Sequence, residues 1–368
     1  CGDMFEPADE NNRQEDAMYE ESKYAHGLLI YGYDRLPYIT TTQTDIATDD
    51  AVTNLKNSAY LNMATGTWAS DNNPMSQWDN CKDGIQYVNL FLSKVERVKW
   101  APSAASKQQM FVDRLKGEAF GLRAIFYYYL LQAHGGYADD GTLYGVPLLT
   151  TSEDGSSDFN LPRATFADCV KQCFADCDSA MALLPANYED INSNDEIPAK
   201  YLALGANYSN YNLVFGAKSR NLISAKIAEA VKAQVALLAA SPAFRDQSGV
   251  TSAEAATLSA NVLKRIGGLA GFDDTGNIWY KNKTKLEPNA AEMPEILWRE
   301  DRHKNAEQER ENFPPTLYGN GRVNPSQNLV DAFPMRSGLP ISAANSGYDP
   351  QDPYANRDPR LADNILYN

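Results

Sequence analysis

Hydrophobic positions recur at helical spacing over most of the first 270 residues and lose that order afterwards. The strongest pattern lies between Ser106 and His134. There Leu115, Ala119, Leu122, Phe126, Tyr129 and Leu130 fall three or four residues apart and share one face of a helix. The run Phe126-Tyr127-Tyr128-Tyr129 makes that helix unusually rich in rings and predicts a core position. Gly135 follows where a helix end favours a left-handed backbone. The expectation is therefore a glycine cap, a loop, and an extended exit through Gly145-Val146-Pro147-Leu148-Leu149.

Other segments repeat the theme. Glu15 to Gly32 predicts a first helix through Met18, Tyr19, Tyr24, Leu28 and Leu29, and Asp50 to Met63 a short one. Asp83 to Trp100 is amphipathic through Ile85, Val88, Asn89, Leu92 and Val95. Thr165 to Leu184 buries Phe166, Val170, Cys173, Phe174, Cys177, Met181 and Leu184. Thr165 with Asp168 makes a capping box in which Asp replaces Glu, and Pro185 stops the helix. Ser224 to Ser241 sets Ile227, Val231, Val235 and Leu238 among small residues, and Ala253 to Leu269 is the last helical stretch. Tyr33 to Asp50 and Ala64 to Asn80 read as loops, and from Gly271 onward prolines break any periodicity. A long irregular segment is uncommon in a compact domain unless it is functional.

The fold class is therefore mainly α: helix pairs with short connections, without a clean 34-residue period. The expected organisation is one domain over residues 1–368. Residues 1–13 form a polar tether, 14–270 a helical scaffold and 271–368 an irregular region.

Composition narrows the function. The chain has 368 residues, 43% hydrophobic and 22% charged, enough for a large core. A net charge of -15 argues against nucleic acid, which needs a basic footprint. The 21 tyrosines are either core rings with their hydroxyls at its edge or surfaces for sugar or peptide recognition. No run of 18 apolar residues is present. Cys169, Cys173 and Cys177 share one helical face, lack a nearby fourth zinc ligand and are poorly placed for a disulfide. They and Cys81 read as core packing. A chain opening Cys1-Gly2 and continuing through polar and acidic residues looks like a bacterial lipoprotein after signal removal, with a lipid on the Cys1 thiol; the other reading is an arbitrary boundary.

Several short motifs occur in a fixed order. They are Gly117-Glu118-Ala119-Phe120-Gly121-Leu122-Arg123-Ala124, Tyr127-Tyr128-Tyr129, Gly135-Gly136 and Gly145-Val146-Pro147-Leu148. Arg163-Ala164-Thr165, Leu183-Leu184-Pro185 and Ala239-Ala240-Ser241-Pro242 follow, then Pro294-Glu295-Ile296-Leu297-Trp298, Asn324-Pro325-Ser326-Gln327-Asn328-Leu329-Val330-Asp331-Ala332-Phe333 and Arg357-Asp358-Pro359-Arg360-Leu361. In that order they resemble the SusD/RagB-like outer-membrane nutrient-binding lipoproteins. The resemblance implies tetratricopeptide-like helix pairs forming a scaffold, with a loop-rich region packed on it that carries the ligand. It implies a cell-surface, lipid-anchored protein that binds an oligosaccharide and delivers it, without catalysis, to a SusC-like TonB-dependent transporter. Peptide capture and a structural helical-repeat adaptor remain the alternatives. Family chains continue well past the last motif, and this one stops at Asn368, so part of the usual surface is expected to be missing.

Catalytic signals are weak. His26, His134 and His303 are scattered, and His134 reads as a cation complementing a helix C-terminus. No Gly-x-Ser-x-Gly elbow or HExxH pair occurs. The loop from Trp68 to Trp78 is the best ligand-binding candidate. Indole rings stack on the C–H face of a sugar, while Asp71, Asn72 and Asn73 offer hydrogen bonds to its hydroxyls. Such rings are otherwise anchors into the core. Trp279 and Tyr280 form a second candidate, and Trp298 reads as structural. Asp45, Asp49 and Asp50 either line a polar groove or act as caps. Their spacing does not match an EF-hand, so no metal and no cofactor is expected, a structural calcium lacking support.

Overall fold

The computed structural model describes residues 17–37, 44–69, 71–273, 293–299 and 306–367. These divide into two compact units. The first comprises residues 17–37, 76–273 and 293–299, and the second residues 44–69, 71–75 and 306–367. Residues 44–69, within the stretch read as scaffold, thus group with the C-terminal segment.

The first unit is a succession of helices: α1 (Ser22–Asp34), α2 (Trp78–Lys94), α3 (Ala105–His134), α4 (Phe166–Leu183), α5 (Ala225–Ala239) and α6 (Ser252–Arg265). Each packs on the next in chain order. The anticipated face of α3 is buried at Leu115, Ala119, Leu122, Phe126 and Leu130, while Tyr129 is half-buried. Burial extends further round the helix, to Val112, Glu118, Arg123 and Tyr127, because α2 and α4 cover it from separate sides. Close approach is built in with α2, where a Cβ on Gly84 would lie 2.6 Å from the Phe126 ring.

Two expectations about helix ends change. Gly135 is extended (φ -71, ψ 146), not left-handed. It is glycine because a Cβ there would sit 2.6 Å from the Leu131 carbonyl oxygen and 2.8 Å from the Phe166 ring. Helix α2 starts at Trp78, five residues before the predicted start at Asp83, and ends at Lys94 rather than near Trp100. Its first turn is seeded by the Gln77 N–H, which donates to His134 Nε2 at 3.1 Å. Beyond Lys94 the Trp100 indole N–H donates to the Val95 carbonyl at 2.8 Å, closing a turn. At the start of α4, Thr165 Oγ1 accepts from the Asp168 N–H at 3.1 Å, the cap the sequence anticipates.

In the second unit, the stretch read as a helix from Asp50 to Met63 splits. Ala51–Thr53 is a strand, antiparallel to Val323–Pro325 in the register Ala51↔Pro325, and only Ala59–Ala64 is helical. The partner strand is distant in sequence, so local periodicity carries no trace of it. Short helices Glu307–Asn312, Gln327–Ala332 and Pro359–Asn364 complete this unit. Arg357 staples its end: the buried guanidinium donates to the carbonyls of Pro353 (2.8 Å), Val330 (2.6 Å) and Phe333 (2.7 Å). Asp358 caps the last helix, accepting from the Arg360 N–H at 2.9 Å.

Candidate functional site

The motif residues of α3 turn inward. Arg123 makes a two-point ion pair with Asp176 of α4, at 2.8 and 2.6 Å, and also donates to Asn89 Oδ1 at 2.9 Å and the Thr150 carbonyl at 3.2 Å. Asn89 passes the link on to the Leu149 and Thr151 carbonyls. Tyr127 donates to the Leu149 carbonyl at 3.0 Å and accepts its N–H at 2.6 Å. Glu118 is fully buried between Arg114 (3.1 Å) and the Tyr33 hydroxyl (2.7 Å). Burial raises its carboxyl above the ordinary range, against the pull of Arg114 and Tyr33. Arg123, Asn89 and Tyr127 clamp the segment after Gly145 onto the helices, and Glu118 ties α3 to Tyr33 of α1. All four cysteines among the described residues are buried and free, and burial pushes the Cys81 thiol up to about 12 and Cys169 to about 11. They are packing groups, as expected.

The surface rings in the second unit differ. Trp68 is 46% exposed in a loop pinned at its base: the Thr67 and Trp68 N–H groups both donate to the Asn62 carbonyl, at 2.8 and 3.1 Å. Gly66 supplies the left-handed residue (φ +71) that lets the chain reverse there. The Asn72 N–H closes back on the Ala69 carbonyl at 2.9 Å, leaving Asp71 and Asn72 exposed a few residues from the indole. Asn73 is half-buried, and its Oδ1 accepts from the Met75 N–H at 2.9 Å, so it shapes the loop. Asp50 lies at the strand seam, with its carbonyl accepting from the Ser326 N–H at 2.8 Å. Neighbouring Asp49 accepts from the Ser326 hydroxyl through its carbonyl and from Asn328 through its carboxylate.

Trp78 belongs to the first unit, not to this loop. It is half-buried against the core, edge-on to His134 (5.4 Å between ring centres), with Lys82 and Arg163 over its face. His134 is not the cation anticipated. Its Nε2 accepts the Gln77 N–H, which requires the neutral ring, and burial with Arg163 nearby lowers its pKa. Trp298 donates to the Asn221 carbonyl at 3.0 Å and packs on the core, a structural role. Cys1, Trp279, Tyr280 and His303 lie outside the described residues.

A further ring of the second unit is not among the sequence candidates. Tyr318 is 96% exposed with φ 63 and ψ 22. That left-handed conformation costs a side-chain-bearing residue about 1–2 kcal/mol. Around it the chain is densely tied. The N–H groups of Leu317, Tyr318 and Gly319 donate to the carbonyls of Pro314 (2.8 Å), Pro315 (3.0 Å) and Pro314 (3.2 Å). Asn320, Gly321 and Arg322 donate to Arg310 (2.7 Å), Phe313 (2.9 Å) and Glu311 (2.8 Å). Asn54 braces the turn from outside, donating to the Asn320 carbonyl at 2.9 Å. The available signal was Pro314-Pro315 before and Gly319 after a lone aromatic, which marks a turn but says nothing of exposure.

A SusD-like family profile, described as starch-binding and associating with the outer membrane, matches residues 12–204, and the SusD family profile matches residues 294–368. Among solved structures, the chain is similar to a SusD-like protein from Bacteroides fragilis NCTC 9343, with 16% identity and a TM-score of 0.64 over 95% of this chain and 61% of that one. A SusD-like carbohydrate binding protein from the same strain gives 18% identity and a TM-score of 0.59 over 96% and 61%. A SusD superfamily protein from Bacteroides thetaiotaomicron VPI-5482 gives 17% and 0.51 over 84% and 61%. At these identities the likeness establishes the fold, a helical, tetratricopeptide-like scaffold. The chain spans about three fifths of the length of these solved proteins. No curated protein matches it.

Proposed function

The chain belongs to the SusD-like family, a carbohydrate-binding family associated with the outer membrane, and on that premise we propose that it captures an oligosaccharide at the cell surface and passes it, uncleaved, to a SusC-like TonB-dependent transporter. The observation that carries this reading is the family match over residues 12–204, taken up again over residues 294–368. A lipid on Cys1 holds the protein at the membrane. Trp68 is the proposed contact in the early loop, its exposed indole stacking on a sugar ring while Asp71 and Asn72 hydrogen-bond the hydroxyls. A few polar contacts beside an apolar platform fix orientation and still permit release.

Electrophoresis through native gels containing starch, laminarin, xyloglucan or mannan tests the reading. At least one polysaccharide should retard the protein, and none should release reducing sugar. Retardation by none of them, with capture on a peptide array instead, would replace oligosaccharide with peptide. Trp68→Ala should weaken retention roughly tenfold with an unchanged melting temperature; full retention would remove Trp68 from the site. Delivery predicts that a TonB-dependent barrel co-purifies with the protein from native membranes. Anchoring predicts that Cys1→Ala shifts the full-length protein from the detergent to the aqueous phase.

A further inference from the structure

We propose that Tyr318 is a second sugar-stacking residue, held ready by the turn that carries it; this rests on the carbohydrate-binding reading. A left-handed position is most readily filled by glycine or asparagine. Tyrosine there, at φ 63, adds backbone strain. At 96% exposure its ring recovers nothing by packing. The turn, by contrast, is over-determined. Six backbone hydrogen bonds run from residues 317–322 to residues 310–315, Asn54 braces it, and a Cβ on Gly319 would lie 2.0 Å from the Phe313 carbonyl oxygen. Rigid backbone under an unpacked aromatic is the arrangement that lowers the entropy lost on binding.

The surroundings suit a saccharide. Leu317 and Phe313, 50% and 43% exposed, add apolar surface on the same turn. Glu311, Asn320 and Arg322, each within seven residues of Tyr318 along the chain, bring a carboxylate, an amide and a guanidinium, the first two joined at 3.1 Å and the first and last at 3.5 Å. A pyranose has the same two faces, C–H groups for the ring and hydroxyls for the polar groups. A polypeptide partner would use the same ring as a knob, and the test separates the two.

The experiment compares wild type, Tyr318→Gly, Tyr318→Asn and Tyr318→Phe in native gels containing each polysaccharide, alongside their melting temperatures. Glycine and asparagine accept the left-handed backbone, so both should melt at or above wild type while retention weakens at least tenfold. Phenylalanine keeps the stacking face and should remain within about threefold of wild type. Undiminished retention by the glycine and asparagine variants overturns the proposal and leaves the carbohydrate reading intact; loss of barrel co-purification in those same variants would assign the ring to protein docking. A melting temperature lowered by several degrees in both variants would show that the ring supports the fold, and also overturns it. If wild type is retarded by none of the polysaccharides, the carbohydrate reading falls first and this proposal with it.

Discussion

Replacing Arg123 by methionine should strongly destabilise the first unit while leaving its shape intact. Methionine keeps the helix and much of the side-chain volume of α3, so the effect isolates the charge. Asp176, 2% exposed, would lose both guanidinium bonds and keep only the Gln172 amide at 3.0 Å. The Asn89 Oδ1 and the Thr150 carbonyl would each lose a donor as well. Removing one partner of a buried pair costs about 3–5 kcal/mol, because the remaining charge is uncompensated. For a unit of this size that is roughly 10 °C in melting temperature. The pH dependence carries the sharper test. In the wild type, burial already raises the Asp176 carboxyl above its ordinary value, and Arg123 opposes the rise. Without Arg123 it climbs further. An acid with a raised folded-state pKa is favourable below its unfolded value, about 4, and loses that advantage as pH rises through the folded value. The variant's deficit should therefore be smaller at pH 5 than at pH 7, because the lower pH favours the protonated carboxyl. Differential scanning calorimetry of both proteins at the two pH values measures this. A deficit under about 2 °C at pH 7, or the same deficit at both, would refute the account. Arg123→Met combined with Asp176→Leu should recover most of the loss, since an apolar pair leaves no buried charge.

Two glycine substitutions should have opposite signs. Gly27→Ala in α1 meets nothing within 4 Å and should stabilise by about 0.5–1 kcal/mol in urea unfolding. Gly117→Ala puts a Cβ 2.5 Å from Leu184 Cγ, and overpacking of about 1–3 kcal/mol should outweigh the helix-propensity gain. His134 has a lowered pKa, so the stability it confers is present above about 6.5 and is lost as pH falls through its folded-state value. His134→Gln should flatten the fall in melting temperature between pH 7 and pH 5, and an unchanged slope would remove His134 from the account.

The helical scaffold was legible because its signals are local. The stripe of α3, the Thr165 cap and the three buried cysteines of α4 each follow from spacing within one helix. The motif that identifies the family was legible as a pattern, but the work of its polar residues was not. Arg123 and Glu118 are satisfied by Asp176, Asn89 and Tyr33, and nothing in the spacing names those partners. Gly135 stops the helix, but glycine is required there by the Leu131 carbonyl oxygen and by Phe166 of another helix rather than by a left-handed backbone. His134 differs for the same kind of reason: its position on the helix predicts a cation, but its ring is set by a backbone N–H arriving from residue 77.

By itself, then, the sequence determined the helical class, the family and the roster of candidate rings, because helix periodicity and motif order are carried by neighbours in the chain. Tertiary structure decided the rest. It paired Ala51–Thr53 with Val323–Pro325, turned Trp78 against the core, left Trp68 half in solvent and set Tyr318 in solvent on a densely hydrogen-bonded turn. Exposure depends on what distant segments cover, and a one-dimensional pattern does not contain that coverage.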